Sequence, residues 1–256
     1  MRQRILHPTQ VPTFANMLRI AVLGIVFCGI LSSCSGTSNS THTSRPTATP
    51  TALLPTPTPL ADITYAAIGA SDSFGTGTTD PAHDSWPAVL ARGLGKSVHL
   101  LDLGIPGATA ELAQRDEVPI AVAAQPKIIT VLLGVNDIDD GISLSAFRTQ
   151  LASILAVLES ETPARVFVAN LPDLTLFPHF ASRDSLALLQ EILQWNSTIA
   201  QVAREQGAIL VDLYSDRAEL AQHPEYIASD GLHPSTLGAM RVAAVFADVI
   251  NASQTT

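Results

Sequence analysis

From residue 61 onward, short β-rich apolar runs alternate with longer stretches of helical period, and few architectures accommodate that alternation. Five runs read as strands: "ITYAAIG" (63–69), "SVHLLDLG" (97–104), "KIITVLLG" (127–134), "ARVFVANL" (164–171) and "GAILVDLY" (207–214). Residues 84–95, 143–161, 185–207 and 235–250 carry apolar positions at helical spacing, punctuated by glycines and by Ser or Asp starts. The pattern predicts an α/β domain over 61–256 with a mainly parallel sheet of about five strands. With 46% hydrophobic residues, the chain has material for one sizeable core.

The preceding segments obey different rules. Residues 1–33 hold Arg2, Arg4 and Arg19, no acid, and the twelve-residue apolar run "IAVLGIVFCGIL", which is short for a bilayer span and reads as a secretory signal. The run ends in "LSSC", Leu31 to Cys34, which resembles the lipobox of bacterial lipoproteins. That resemblance implies lipidation of Cys34 and a protein exported and anchored to the outer face of the cell membrane. Residues 35–60 contain seventeen Ser, Thr or Pro in 26 positions, too little apolar surface to offset chain entropy, so 34–60 reads as a lipidated cysteine followed by a linker. The two cysteines, Cys28 and Cys34, both lie in the leader region, which leaves the domain no disulfide. Loss of residues 1–33 takes the formal charge from −9 to −12, which argues against nucleic acid and anionic lipid as partners.

In a doubly wound sheet, ligands bind beyond the carboxyl ends of the strands, so polar residues just after each strand have raised functional odds. "GASDSFGTG" (69–77) follows the first strand and presents Ser71 among glycines that permit a tight turn. "GIPGAT" (104–109) follows the second, and "GVNDI" (134–138) follows the third. "SDGLHPS" (229–235) carries Asp230 and His233 three apart, close enough for the carboxylate to support the imidazole. His83, His99, His179 and His223 lack partners at ligand spacing. Asp137, Asp139 and Asp140 read as solvated loop charges, and Trp86 and Trp195 as residues that pack on helices.

These four blocks, in this order over residues 61–251, resemble the SGNH or GDSL-type hydrolase family. The resemblance implies a flavodoxin-like, three-layer α/β/α sandwich. It implies that Ser71 is the nucleophile, His233 the general base and Asp230 its orienting acid. Gly107 and Asn136 match the oxyanion-hole positions, with the Ser71 N–H as the third donor. Two departures stand beside these positions: Gly69-Ala70-Ser71-Asp72 replaces Gly-Asp-Ser-Leu, and Asp102-Leu103 precede the second block where an asparagine is usual. Asp72-Ser73 also reads as the end of a Gly-Asp-Ser motif, although the spacing of Gly69 and Gly75 favours Ser71.

The implied chemistry is cleavage of a small O-acyl or O-acetyl ester, or of an O-acylated glycan, through an acyl-enzyme without metal or organic cofactor. Two other readings use the same fold: a surface binding module that has lost catalysis, and an acyltransferase that passes the acyl group to a sugar hydroxyl. A monomer is the default expectation.

Overall fold

The computed structural model describes residues 63–95 and 97–254. The signal segment, Cys34 and the linker expected from the sequence lie outside the described residues. Five strands, β1 (Ile63–Gly69), β2 (Val98–Asp102), β3 (Ile128–Leu132), β4 (Arg165–Ala169) and β5 (Ile209–Val211), form one sheet in the order β2-β1-β3-β4-β5. All four pairings are parallel. Helices run in chain order as α1 (Ser71–Phe74), α2 (Pro81–Asp84), α3 (Trp86–Leu94), α4 (Ala110–Asp116), α5 (Val118–Ala124), α6 (Val135–Asp139), α7 (Leu144–Glu161), α8 (Ser185–Gln206), α9 (Arg217–Gln222) and α10 (Thr236–Ser253).

Side chains alternate across a strand, so each strand feeds two cores. Ala66, Ile68, Ile129, Val131, Val166 and Val168 pack on one face with α4, α5, α7 and α8. Tyr65, Ala67, Ile128, Leu132, Phe167 and Val211 pack on the other with α3 and α10. Two covered faces explain why the central strands read as continuous apolar runs rather than alternating ones. Ring pairs lock both layers: Trp86 of α3 stacks on Phe246 of α10 at 4.5 Å, and Phe147 of α7 meets Trp195 of α8 at 4.5 Å. Such pairs contribute about 0.5–1.5 kcal/mol beyond area burial. The fold is the three-layer sandwich expected, with both tryptophans on helices.

The strands stop earlier than their apolar runs. After Asp102, Leu132, Ala169 and Val211 the chain leaves the sheet to build loops over its carboxyl edge, and Tyr214–Asp216 turns into a 3-10 helix. The expected helix at 84–95 breaks at Ser85, whose hydroxyl accepts the N–H of Ala88 and caps α3. No helix was expected between the second and third strands, yet α4 and α5 lie there, seven residues each, parted at Glu117. They are too short for helical period to show. Among the described residues, no helix is long and apolar enough to cross a membrane.

Candidate active site

The order β2-β1-β3 puts the point where the chain reverses direction between β1 and β3, and the loops after both strands open there. Ser71 is the first residue of α1, directly beyond β1. The turn that carries it is built on close backbone approach. A Cβ on Gly69 would stand 2.0 Å from Ser73 Oγ, and one on Gly104 would stand 2.8 Å from both Ala70 O and Phe74 N. Gly104, in the loop after β2, therefore seats that loop against the serine turn. Asp102, the first departure residue of this loop, accepts the Gly104 N–H at 3.1 Å.

His233 arrives from the other end of the chain. Its Nε2 lies 2.8 Å from Ser71 Oγ, and its Nδ1 lies 2.8 Å from Asp230 Oδ2. An ionised carboxylate only accepts, so the proton belongs on Nδ1 and leaves Nε2 free to accept from the serine hydroxyl. Asp230 Oδ1 accepts the backbone N–H groups of Leu232 at 2.9 Å and His233 at 3.0 Å. Burial opposes ionisation of Asp230, but those N–H groups and the His233 ring outweigh it and hold the carboxyl below its usual range.

The histidine loop is fixed on both sides. Ala228 N donates to His233 O at 2.8 Å, Ser235 N donates to Tyr226 O at 2.8 Å, and the Ser235 hydroxyl caps α10 by accepting from Gly238 N at 3.2 Å. His179 N donates to Gly231 O at 3.1 Å, while its ring meets Asp139 Oδ2 at 3.0 Å.

Asn136, on α6, lines the same cavity as Ser71 and His233. One of its two amide hydrogens serves Ala108 O at 2.9 Å, which leaves the other for a ligand. Gly107 is exposed at φ 82°, and its N–H donates to no described residue. It does not line the cavity that holds Ser71; its link to the site runs through its neighbour Ala108. Ser73, the alternative nucleophile, is 0% exposed and its hydroxyl touches neither histidine nor cavity.

Several acids depart from the sequence reading. Asp137 is not a solvated loop charge: it is 1% exposed, both oxygens accept the Ala110 N–H at 3.2 Å, and burial pushes its carboxyl up to about 6. Asp139 pairs with His179 as described, while His83 pairs with Asp80 and His223 with Glu225. Asp72, beside Ser71, is raised to about 6 by burial, against the opposing N–H groups of its own turn and the nearby His233.

Glu117 belongs to none of the four sequence blocks. It is 1% exposed, and its Oε2 accepts the N–H of Gly69, two residues before Ser71, at 2.9 Å. Its Oε1 is buried without a partner among the described residues. Burial, opposed by the Gly69 N–H and reinforced by Asp102, Asp72 and Asp116, pushes the carboxyl up to about 8. Glu117 directly follows Gln114-Arg115-Asp116, so nothing in the sequence sets it apart from an ordinary surface acid.

The sequence model of the GDSL-like lipase/acylhydrolase family matches residues 67–241. The chain belongs to this family. By that membership it is a carboxylic ester hydrolase, as the four blocks implied. Solved structures of other enzymes share the fold. The acetylxylan esterase Axe2 from Geobacillus stearothermophilus is 16% identical, with a TM-score of 0.60 over 74% of this chain and 94% of that one. The psychrotrophic esterase EstA from a Pseudoalteromonas species, solved with monoethylphosphonate as inhibitor, is 17% identical, with a TM-score of 0.61 over 76% and 100%. The lipase/acylhydrolase from Enterococcus faecalis is 19% identical, with a TM-score of 0.60 over 75% and 96%. No curated protein matches the sequence.

Proposed function

We propose that this GDSL-like hydrolase is an exported, membrane-tethered serine esterase that works through an acyl-enzyme on Ser71. The observation that carries the reading is the continuous relay from Ser71 Oγ to His233 Nε2 and from His233 Nδ1 to Asp230 Oδ2. Ser71 Oγ attacks the ester carbonyl carbon while His233 takes its proton, and the same proton passes to the departing alkoxide as the C–O bond breaks. Water then repeats the sequence and releases the acid. The developing oxyanion is met by the Ser71 N–H, which has no acceptor among the described residues, and by the second Asn136 amide hydrogen, while Gly107 acts only by seating Ala108, whose carbonyl holds the first. Serine, histidine and aspartate complete this chemistry without a metal or organic cofactor.

Labelling the full-length protein with a fluorophosphonate and mapping the modified peptide tests the nucleophile. A stoichiometric adduct on Ser71 is expected; an unlabelled folded protein, or an adduct elsewhere, would refute the reading. EstA's inhibition by a phosphonate makes this class of probe a natural choice.

Support for export and tethering comes from the basic, apolar leader and from Cys34 at its end, followed by the linker that stands the domain off the surface. A Cys34→Ser variant is expected to move from the membrane to the soluble fraction and to lose an N-terminal lipid mass. Membrane-bound protein with an unmodified Cys34 would overturn that part.

A further inference from the structure

The cavity that opens at Ser71 has mostly apolar walls. Ser71, Asn136 and His233 stand on its wall together with Leu132 at the end of β3, Leu213 beyond β5, Leu220 of α9, and Val242 and Val245 of α10. Helix α10 starts at the carboxyl edge of the sheet beside His233, and Val245 lies ten residues past the Ser235 cap, about 15 Å along the axis at 1.5 Å per residue. The charged side chains on this stretch of wall pair with one another, since Arg241 meets Asp216 at 2.8 Å and Glu219 at 3.0 Å, although the Arg241 Nε finds no partner among the described residues.

Resting on the esterase reading above, we propose that this cavity is an acyl pocket for a straight chain of about four to six carbons, and that acetyl is a poor substrate. The cavity measures about 120 Å³. An apolar cavity of about 150 Å³ takes the six carbons of benzene, so this one takes roughly four or five beyond the carbonyl. An acetyl methyl fills only its mouth.

The chain belongs to the acyl side for a chemical reason. The departing alcohol lies against His233 Nε2 to receive its proton, and water must follow it there, so that side has to stay open to solvent. The acyl group stays bonded to Ser71 through both steps, so it is the part of the substrate that an apolar wall beside Ser71 can hold throughout. Each methylene moved from water into the pocket raises kcat/KM about fourfold until the pocket is full.

The test is kcat/KM of the full chain on p-nitrophenyl acetate, butyrate, hexanoate and decanoate below their aggregation limits. A rise of at least about tenfold from acetate to the four- or six-carbon ester, followed by a fall at decanoate, is expected. Val245→Trp is expected to cut the hexanoate-to-acetate ratio at least about tenfold by shortening the pocket, and Val242→Phe to act the same way. A best rate on acetate, a flat series, or a ratio unmoved in both folded variants overturns the pocket assignment while leaving the esterase reading intact. So does a preference for butyl acetate over methyl butanoate, which would put the long group on the alcohol side. No turnover of any ester, together with no fluorophosphonate adduct on Ser71, overturns both.

Discussion

Replacing Ser71 with alanine is expected to lower kcat/KM for p-nitrophenyl butyrate by roughly 10⁴-fold or more, while Ser73→Ala stays within about threefold of the parent. The contrast follows from where the two hydroxyls point. Ser71 Oγ meets the accepting nitrogen of His233 at 2.8 Å and stands on the cavity wall. Ser73 Oγ is sealed against Gly69 with no hydrogen-bond partner among the described residues. Its removal discards a buried polar atom that contributes nothing to the relay. Steady-state kinetics on the two single variants decide the matter: equal losses, or a larger loss for Ser73→Ala, would transfer the nucleophile's role.

Replacing Glu117 with glutamine is expected to flatten the pH dependence of stability, with the largest gain over the parent near pH 8. The carboxyl titrates near 4.5 when free and at about 8 in the fold. Between those values the folded chain holds a proton that the unfolded chain has released. Stability therefore falls as pH rises through that window and levels off above it. Each pH unit inside the window costs up to about 1.4 kcal/mol, which sums to a few kcal/mol. Glutamine keeps an oxygen for the Gly69 N–H and has no proton to lose. Urea unfolding of both proteins at pH 5 and pH 8 measures the effect, and parallel shifts of the two midpoints would remove Glu117 from the account.

Unbroken apolar runs such as "IITVL" made the sheet legible, because both faces of β1, β3 and β4 are covered. The order β2-β1-β3 came only with the flavodoxin-like fold that the family resemblance implied, since nothing local to a strand records which neighbour it pairs with. The blocks around Ser71, Asn136 and His233 stood out because polar residues follow each strand at a sheet edge that ligands favour. Burial was the hidden variable. Asp137 and Glu117 look like any loop or helix acid, and only the fold buries them, Asp137 against the Ala110 N–H and Glu117 against the Gly69 N–H. The His179 and Asp139 pairing was equally invisible, because its partners sit on different elements 40 residues apart.

The serine and histidine of the relay are separated by 162 positions, and α10, which follows the histidine, reaches its place by stacking Phe246 on Trp86 near the start of the domain. A chain emerging from the ribosome thus displays its serine long before any base exists to activate it. The relay exists only once both ends of the domain are in place, because Ser71 and His233 come within hydrogen-bond distance through the fold and not through the sequence.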